Sequence, residues 1–196
     1  MTFDSYDSYG PRTMTVLVLK MGGLDHGSFP ETSTPDVIGQ CLSGFIASML
    51  AQVKHYGGVC GSIEADRITA FWGLDEGGGD PVKACECALA CKGEISELSE
   101  RWSPEHPDAL YLHAGISTGH GIVVPYGDRK EPSYTAYGDT VKMADIFARK
   151  NREHDTNIIV SESVAKFIDG RFSVRFLDQI PLKGEIEPVK LFQLES

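Results

Sequence analysis

Asp66 stands near the tip of an expected β-hairpin, GGVCGSIEADRITAFWG from Gly57 to Gly73, where a carboxylate at a tight turn is well placed to meet a hard cation. Such a cation needs several oxygen ligands, so Asp66 requires partners from elsewhere in the chain. The other reactive residue types offer less. There are five cysteines, and Cys41, Cys60, Cys85, Cys87 and Cys91 show no CxxC spacing, which fits free thiols in a reducing compartment. Cys85, Cys87 and Cys91 fall in a helical pattern that is expected to turn Cys87 away from the other two, so they read as ordinary small core or surface thiols. The six histidines, His26, His55, His106, His113, His120 and His154, form no HxxxH or HExxH pattern and give no support to a zinc enzyme.

A chain of 196 residues that is 41% hydrophobic can bury one sizeable core. Its net charge of -10 argues against nucleic acid as a partner, because neutralising phosphates takes a surplus of Lys and Arg. The opening MTFDSYDSYGPRT is acidic and aromatic rather than basic and then apolar, and no run is expected to cross a bilayer, so no membrane segment is assigned. A cytoplasmic location is expected.

Residues 1–13 read as a flexible tail and 14–196 as one domain. MTVLVLKM, Met14 to Met21, is a short apolar run rich in β-branched residues, as in a central strand, and Gly22 and Gly23 break it. Thr34 and Pro35 suit a helix start. Val37, Ile38, Cys41, Leu42, Phe45, Ile46, Met49, Leu50 and Val53 then recur at helical steps on one face. After the hairpin, Asp80 and Pro81 open a second helix that runs to the polar stretch Ser103 to Asp108. ALYLHAGIS and GIVVPYG read as a second strand pair, Ala109 to Gly127, divided around Thr118 and Gly119. A charged loop follows, then a helix from Gly138 and Asp139 through Lys150, the strand NIIV, a short helix SESVAKFI, and strands near FSVRFL and EPVKLFQL. The order β, α, β, β, α, β with C-terminal additions is that of a ferredoxin-like α+β sandwich. Phe71 and Trp72 are better read as core than as interface, from their place in a strand.

With those elements in order, the chain resembles the catalytic domain of the class III nucleotidyl cyclases, the adenylate and guanylate cyclase family. The resemblance rests on TVLVLKMGGL (Thr15–Leu24), GGVCGSIEADRITAFWG (Gly57–Gly73), HAGISTGHGIVV (His113–Val124) and YTAYGDTVKMA (Tyr134–Ala144), with LKGEIEPVKLFQL (Leu182–Leu194) similar to the closing hairpin. In that family two aspartates hold two magnesium ions against the triphosphate. The resemblance places the second aspartate at Asp66 and the first at Lys20. An ammonium cannot ligate a cation and repels it, so Lys20 is expected to fill the space of a metal ion and pair with Asp66, or else to point into solvent.

The remaining positions implied by the resemblance are also altered. Gly22 and Gly23 would let the loop after the first strand cradle the triphosphate, although Asp25 there brings an unfavourable charge. The purine-selecting pair falls on Ser62 and Thr135, small hydroxyls that hydrogen-bond a base without a charged preference. The ribose-orienting asparagine falls on Lys142 and the phosphate-stabilising arginine on Ile146. Loss of such a fixed cation removes a term worth about 3 kcal/mol in rate. The resemblance therefore implies a degenerate cyclase-homology domain, a dimerisation or regulatory module without cyclase activity alone. The alternative is a nucleotidyl cyclase acting as a heterodimer half or on an altered substrate. Its implied partners are a head-to-tail second copy or another cyclase domain and, as candidate ligand, a nucleoside triphosphate, with Mg or Mn needed for any activity. A diguanylate cyclase is suggested only by Gly57 and Gly58, and the GGDEF-type turn is absent.

Overall fold

The computed structural model describes residues 10–23, 34–74, 78–102, 110–128, 132–181 and 187–195. The expected tail up to residue 9, Asp25 in the loop after the first strand, and the first part of the closing hairpin lie outside these residues. Eight strands form one mixed sheet, with order β2-β3-β1-β4-β6-β8-β7 and β5 paired to β4. The elements are β1 (Pro11–Gly22), α1 (Pro35–His55), β2 (Val59–Glu64), β3 (Arg67–Trp72), α2 (Pro81–Trp102), β4 (Tyr111–Gly127), β5 (Pro132–Tyr137), α3 (Asp139–His154), β6 (Ile158–Ser161), α4 (Glu162–Phe167), β7 (Val174–Ile180) and β8 (Val189–Leu194). The first four strands reproduce the ferredoxin-like order, with β1 antiparallel to both β3 and β4.

The apolar run of β1 has a physical reason. Leu17, Leu19 and Met21 pack on one side in a core with α1, α2 and α4, while Met14, Val16 and Val18 pack on the other with Ala144 and Ala148 of α3. A strand covered on both faces has no polar alternation to show. β1 also starts at Pro11, before the expected domain boundary, because Pro11 to Thr13 pair with Ile122 to His120. Phe71 and Trp72 are both buried, on opposite faces of the sheet.

Two expectations on secondary structure are corrected. The strand pair divided at Thr118 and Gly119 is one 17-residue strand, β4, and the segment expected as a charged loop holds β5. Gly115 and Gly119 do not turn the chain. A Cβ at Gly115 would run into the carbonyl of Ala144 and the amide of Ala148, and one at Gly119 would lie 2.8 Å from Thr140 Oγ1. They are small because α3 lies on them.

α1 corrects a third. By length and composition it is the helix among the described residues that is long and apolar enough to cross a membrane, at 21 residues. Here it carries Cys41, Phe45, Met49 and Val53 into the core. In α2, Cys85, Cys87 and Cys91 are all buried, and the Cys87 and Cys91 sulfurs approach to 4.0 Å, since residues four apart share a helix face. Burial pushes the Cys85 thiol up to about 12, while the Cys87 contact, and then burial, hold Cys91 well above the ordinary range. These are inert core thiols.

Candidate functional site

The hairpin turn joins β2 to β3 through Ala65 and Asp66, with Ala65 in the left-handed region at φ 37°. The turn is tied to the central strand by a bond from the Met21 amide to the Asp66 carbonyl, 2.8 Å. That tie brings Asp66 to the end of β1, where the Lys20 ammonium lies 3.9 Å from Asp66 Oδ2. Both side chains are over 40% exposed, at 43% and 42%. At that distance and exposure the pair contributes at most about 1 kcal/mol, so it marks a position more than it locks one.

The pair opens into a cleft of about 310 Å³ between β1, β4 and α3. Register fixes its floor, because Lys20 faces His113 and Gly22 faces Tyr111 across β1 and β4. The Tyr111 ring lies so close over Gly22 that any Cβ there would collide with it, and it sits tilted beside the His113 ring, with centres 4.8 Å apart. Gly22 is thus small for Tyr111, while Gly23 ends the strand at φ 93°. Arg149 and Arg152 of α3 form the far wall. Burial, and then the charges of Lys20 and Arg152, hold the His113 ring below the ordinary imidazole range.

Beside the cleft lies an ion-pair network. Arg67 bonds Asp145 at 2.7 Å and also pairs with Glu64, while Arg149 reaches the same Asp145 at 2.9 Å. Asp145 therefore faces two guanidinium groups and points no free lone-pair cluster into the cleft.

Magnesium or manganese, implied by the resemblance, does not fit this set. Among the described residues, Asp66 is the one carboxylate lining the cleft, an ammonium stands beside it, and no group of three or more His, Cys, Asp or Glu side chains could hold a metal ion.

The other expected site residues lie elsewhere. Ser62, half-buried, follows an irregularity in the pairing of β2, and Thr135 is exposed on β5, two strands that touch one another. Lys142 is exposed and bonds Asp139 at 3.0 Å while lying 5.6 Å from the Tyr137 ring centre. It does not enter the Lys20 cleft. Ile146 packs partly buried against the small cluster of Phe147, Ile159, Ile180 and Leu191, a packing role for an apolar residue. Sequence reasoning missed Tyr111, His113, Arg149 and Arg152. The one signal available was the spacing of the two arginines on the helix that the family motif begins.

The chain is 22% identical over 171 residues to adenylate cyclase 1 of Rhizobium meliloti (strain 1021), which covers 87% of this chain and 26% of that protein. It is 23% identical over 196 residues to the adenylate cyclase of Anabaena cylindrica, covering 94% of this chain and 37% of that protein. It thus spans well under half the length of these curated relatives. The crystal structure of the adenylyl cyclase CyaB from P. aeruginosa shares the fold, with a TM-score of 0.79 at 22% identity and 95% of each chain covered. Residues 28–196 match the adenylate and guanylate cyclase catalytic domain, and the chain belongs to that class III family.

Proposed function

We propose that this chain is a cyclase-homology domain of cyclic-nucleotide signalling that serves as a dimerisation or regulatory module and makes no cyclic nucleotide on its own. The observation that carries the reading is the Lys20 ammonium, 3.9 Å from Asp66, at the place where the family's chemistry needs a second carboxylate. Ile146 at the arginine position and Lys142 bonded to Asp139 support it from α3. We place the domain in the cytoplasm, as a head-to-tail homodimer or paired with another cyclase domain. The exposed Ile63 on β2 and Ile122, Tyr126 and Tyr137 on β4 and β5 supply apolar surface around Ser62 and Thr135 for such a contact.

A second reading, a nucleotidyl cyclase working as a heterodimer half or on an altered substrate, is favoured by the adenylate cyclases among its relatives and by the retained Asp66. One assay separates the two. The purified chain is incubated with ATP, GTP, CTP or UTP and magnesium or manganese, alone and with a cyclase partner, and 3′,5′-cyclic products are measured. No product from the chain alone is expected. Product above background that vanishes in Asp66→Ala would sink the first reading and establish the second.

A further inference from the structure

We propose that a second hollow, toward the other end of β1 from Lys20, binds a small zwitterion with an apolar body, either an apolar amino acid or a short peptide with free ends. The hollow, of about 830 Å³, lies where the end of β3, the start of α2 and the chain after α4 meet. Gly79 in its lining seats against Thr15 of β1, roughly 17 Å along that strand from Lys20. The hollow shares no lining residue with the Lys20 cleft. It is therefore independent of whether that cleft turns over a nucleotide.

The first support is how the charges of the hollow are matched. Asp80 and Lys83 satisfy each other, through an ion pair of 3.4 Å and a bond from the Lys83 amide to the Asp80 carboxylate at 3.0 Å. Glu86 and Arg171 line the same hollow, and neither side chain makes a hydrogen bond or ion pair with any described residue, the other included. A carboxylate and a guanidinium that share a hollow without meeting leave room for a ligand charged at both ends. Glu86 takes its ammonium and Arg171 its carboxylate, each through charge-assisted hydrogen bonds.

The second support is the apolar lining beside those charges. The Trp72 ring is buried and fixed by a bond from its Nε1 to the Tyr56 carbonyl at 2.9 Å, Val82 is half-buried, and Phe167 stands 63% exposed. An exposed phenylalanine in the wall of a hollow gains by burial against an apolar ligand. A bare ion would use neither this wall nor both charges, so the ligand is organic. The volume agrees, since hollows of about 300–1,000 Å³ take organic molecules rather than single ions.

The test is calorimetric titration of the whole chain with L-phenylalanine and with L-phenylalanyl-L-leucine, each compared with its N-acetylated and its C-amidated form. Binding of at least one free zwitterion is expected, weakened about tenfold when either end is blocked, the scale of one charge-assisted contact. Arg171→Gln is expected to weaken the free ligand about tenfold and to leave the amidated form, which has no carboxylate, unchanged. Glu86→Gln is expected to weaken the free ligand equally and to spare the acetylated form. A merely structural role for either side chain would not follow the end of the ligand in this way. Arg101→Gln, on an exposed cation in the last turn of α2, is expected to leave affinity unchanged. Tighter binding of phenylalanine identifies a free amino acid as the ligand, and equal or tighter binding of the dipeptide identifies a short peptide. No binding of either zwitterion at about 10 mM, blocked forms that bind as tightly as free ones, or an equal loss in Arg101→Gln would overturn the proposal. Cyclic product from the chain would remove the function proposed above and leave this titration standing, while a flat titration would do the reverse.

Discussion

The two faces of α3 obey different rules. Toward the sheet it presents Ala144, Phe147, Ala148 and Asn151, all buried, against the glycines of β4. Asn151 donates to the carbonyls of Ala114, at 2.9 Å, and Phe147, at 3.0 Å, and accepts from Thr156 at 2.8 Å, tying the helix to both β4 and the turn into β6. Toward the cleft it presents Arg149 and Arg152, and beside the cleft Asp145, which pairs with Arg67 and Arg149. The packed face is constrained by volume, where a single methyl group has nowhere to go. The cleft face is constrained only by charge, which a sequence can rearrange without losing the fold. That asymmetry lets one helix keep its packing on the sheet while the charges on its other face vary.

The comparison breaks most readily at Gly115. Gly115→Val places side-chain atoms in the Ala144 and Ala148 backbone and is expected to cost about 3 kcal/mol or more, read by urea denaturation. A loss under about 1 kcal/mol would mean that α3 can lift from β4. Next in size, Asn151→Ala leaves Thr156 without its acceptor and is expected to cost about 2 kcal/mol. Arg149→Ala on the opposite face should stay within about 0.5 kcal/mol. Equal losses for these two would erase the distinction between the faces.

The smallest effect concerns pH. The His113 ring binds its proton less readily in the folded chain than in the unfolded one, because of burial and then Lys20 and Arg152, with Tyr111 beside it. The unfolded state therefore takes up the proton first as pH falls, and stability declines below the ordinary imidazole value of about 6.5. Denaturation across a pH series should show this decline reduced in His113→Gln, and identical curves would show that the cleft places no load on the ring.

The sequence carried much of this arrangement, and unevenly. The meeting of Lys20 with Asp66 was legible through the family resemblance, whose motifs set both positions at one site, and the tie of the hairpin turn to the end of β1 brings them together. The continuity of β4 was not, since Thr118 and Gly119 read locally as a break, and only the presence of α3 reveals Gly119 as a contact point. Arg149 and Arg152 were hidden for the opposite reason. Charges on an exposed helix face are the ordinary solvated surface, and nothing local says that β1 and β4 end beneath them. Cys87 was misplaced because the expectation allowed α2 one buried side, while α2 packs against α1, the sheet and α4.

The register of β1 has a consequence for how the chain is made. Pro11 pairs with Ile122 and Gly22 with Tyr111, so the central strand, which is synthesised well before β4, must wait for it before its second edge is closed. Until then its apolar run and the nearly uncharged α1 have only β3 and the early helices for cover. Non-local pairing of this kind slows folding and lengthens the exposure of unpaired strand edges. A nascent chain stalled before Tyr111 would hold the sheet's middle strand open on one side, and such an intermediate is a natural client for a holdase chaperone.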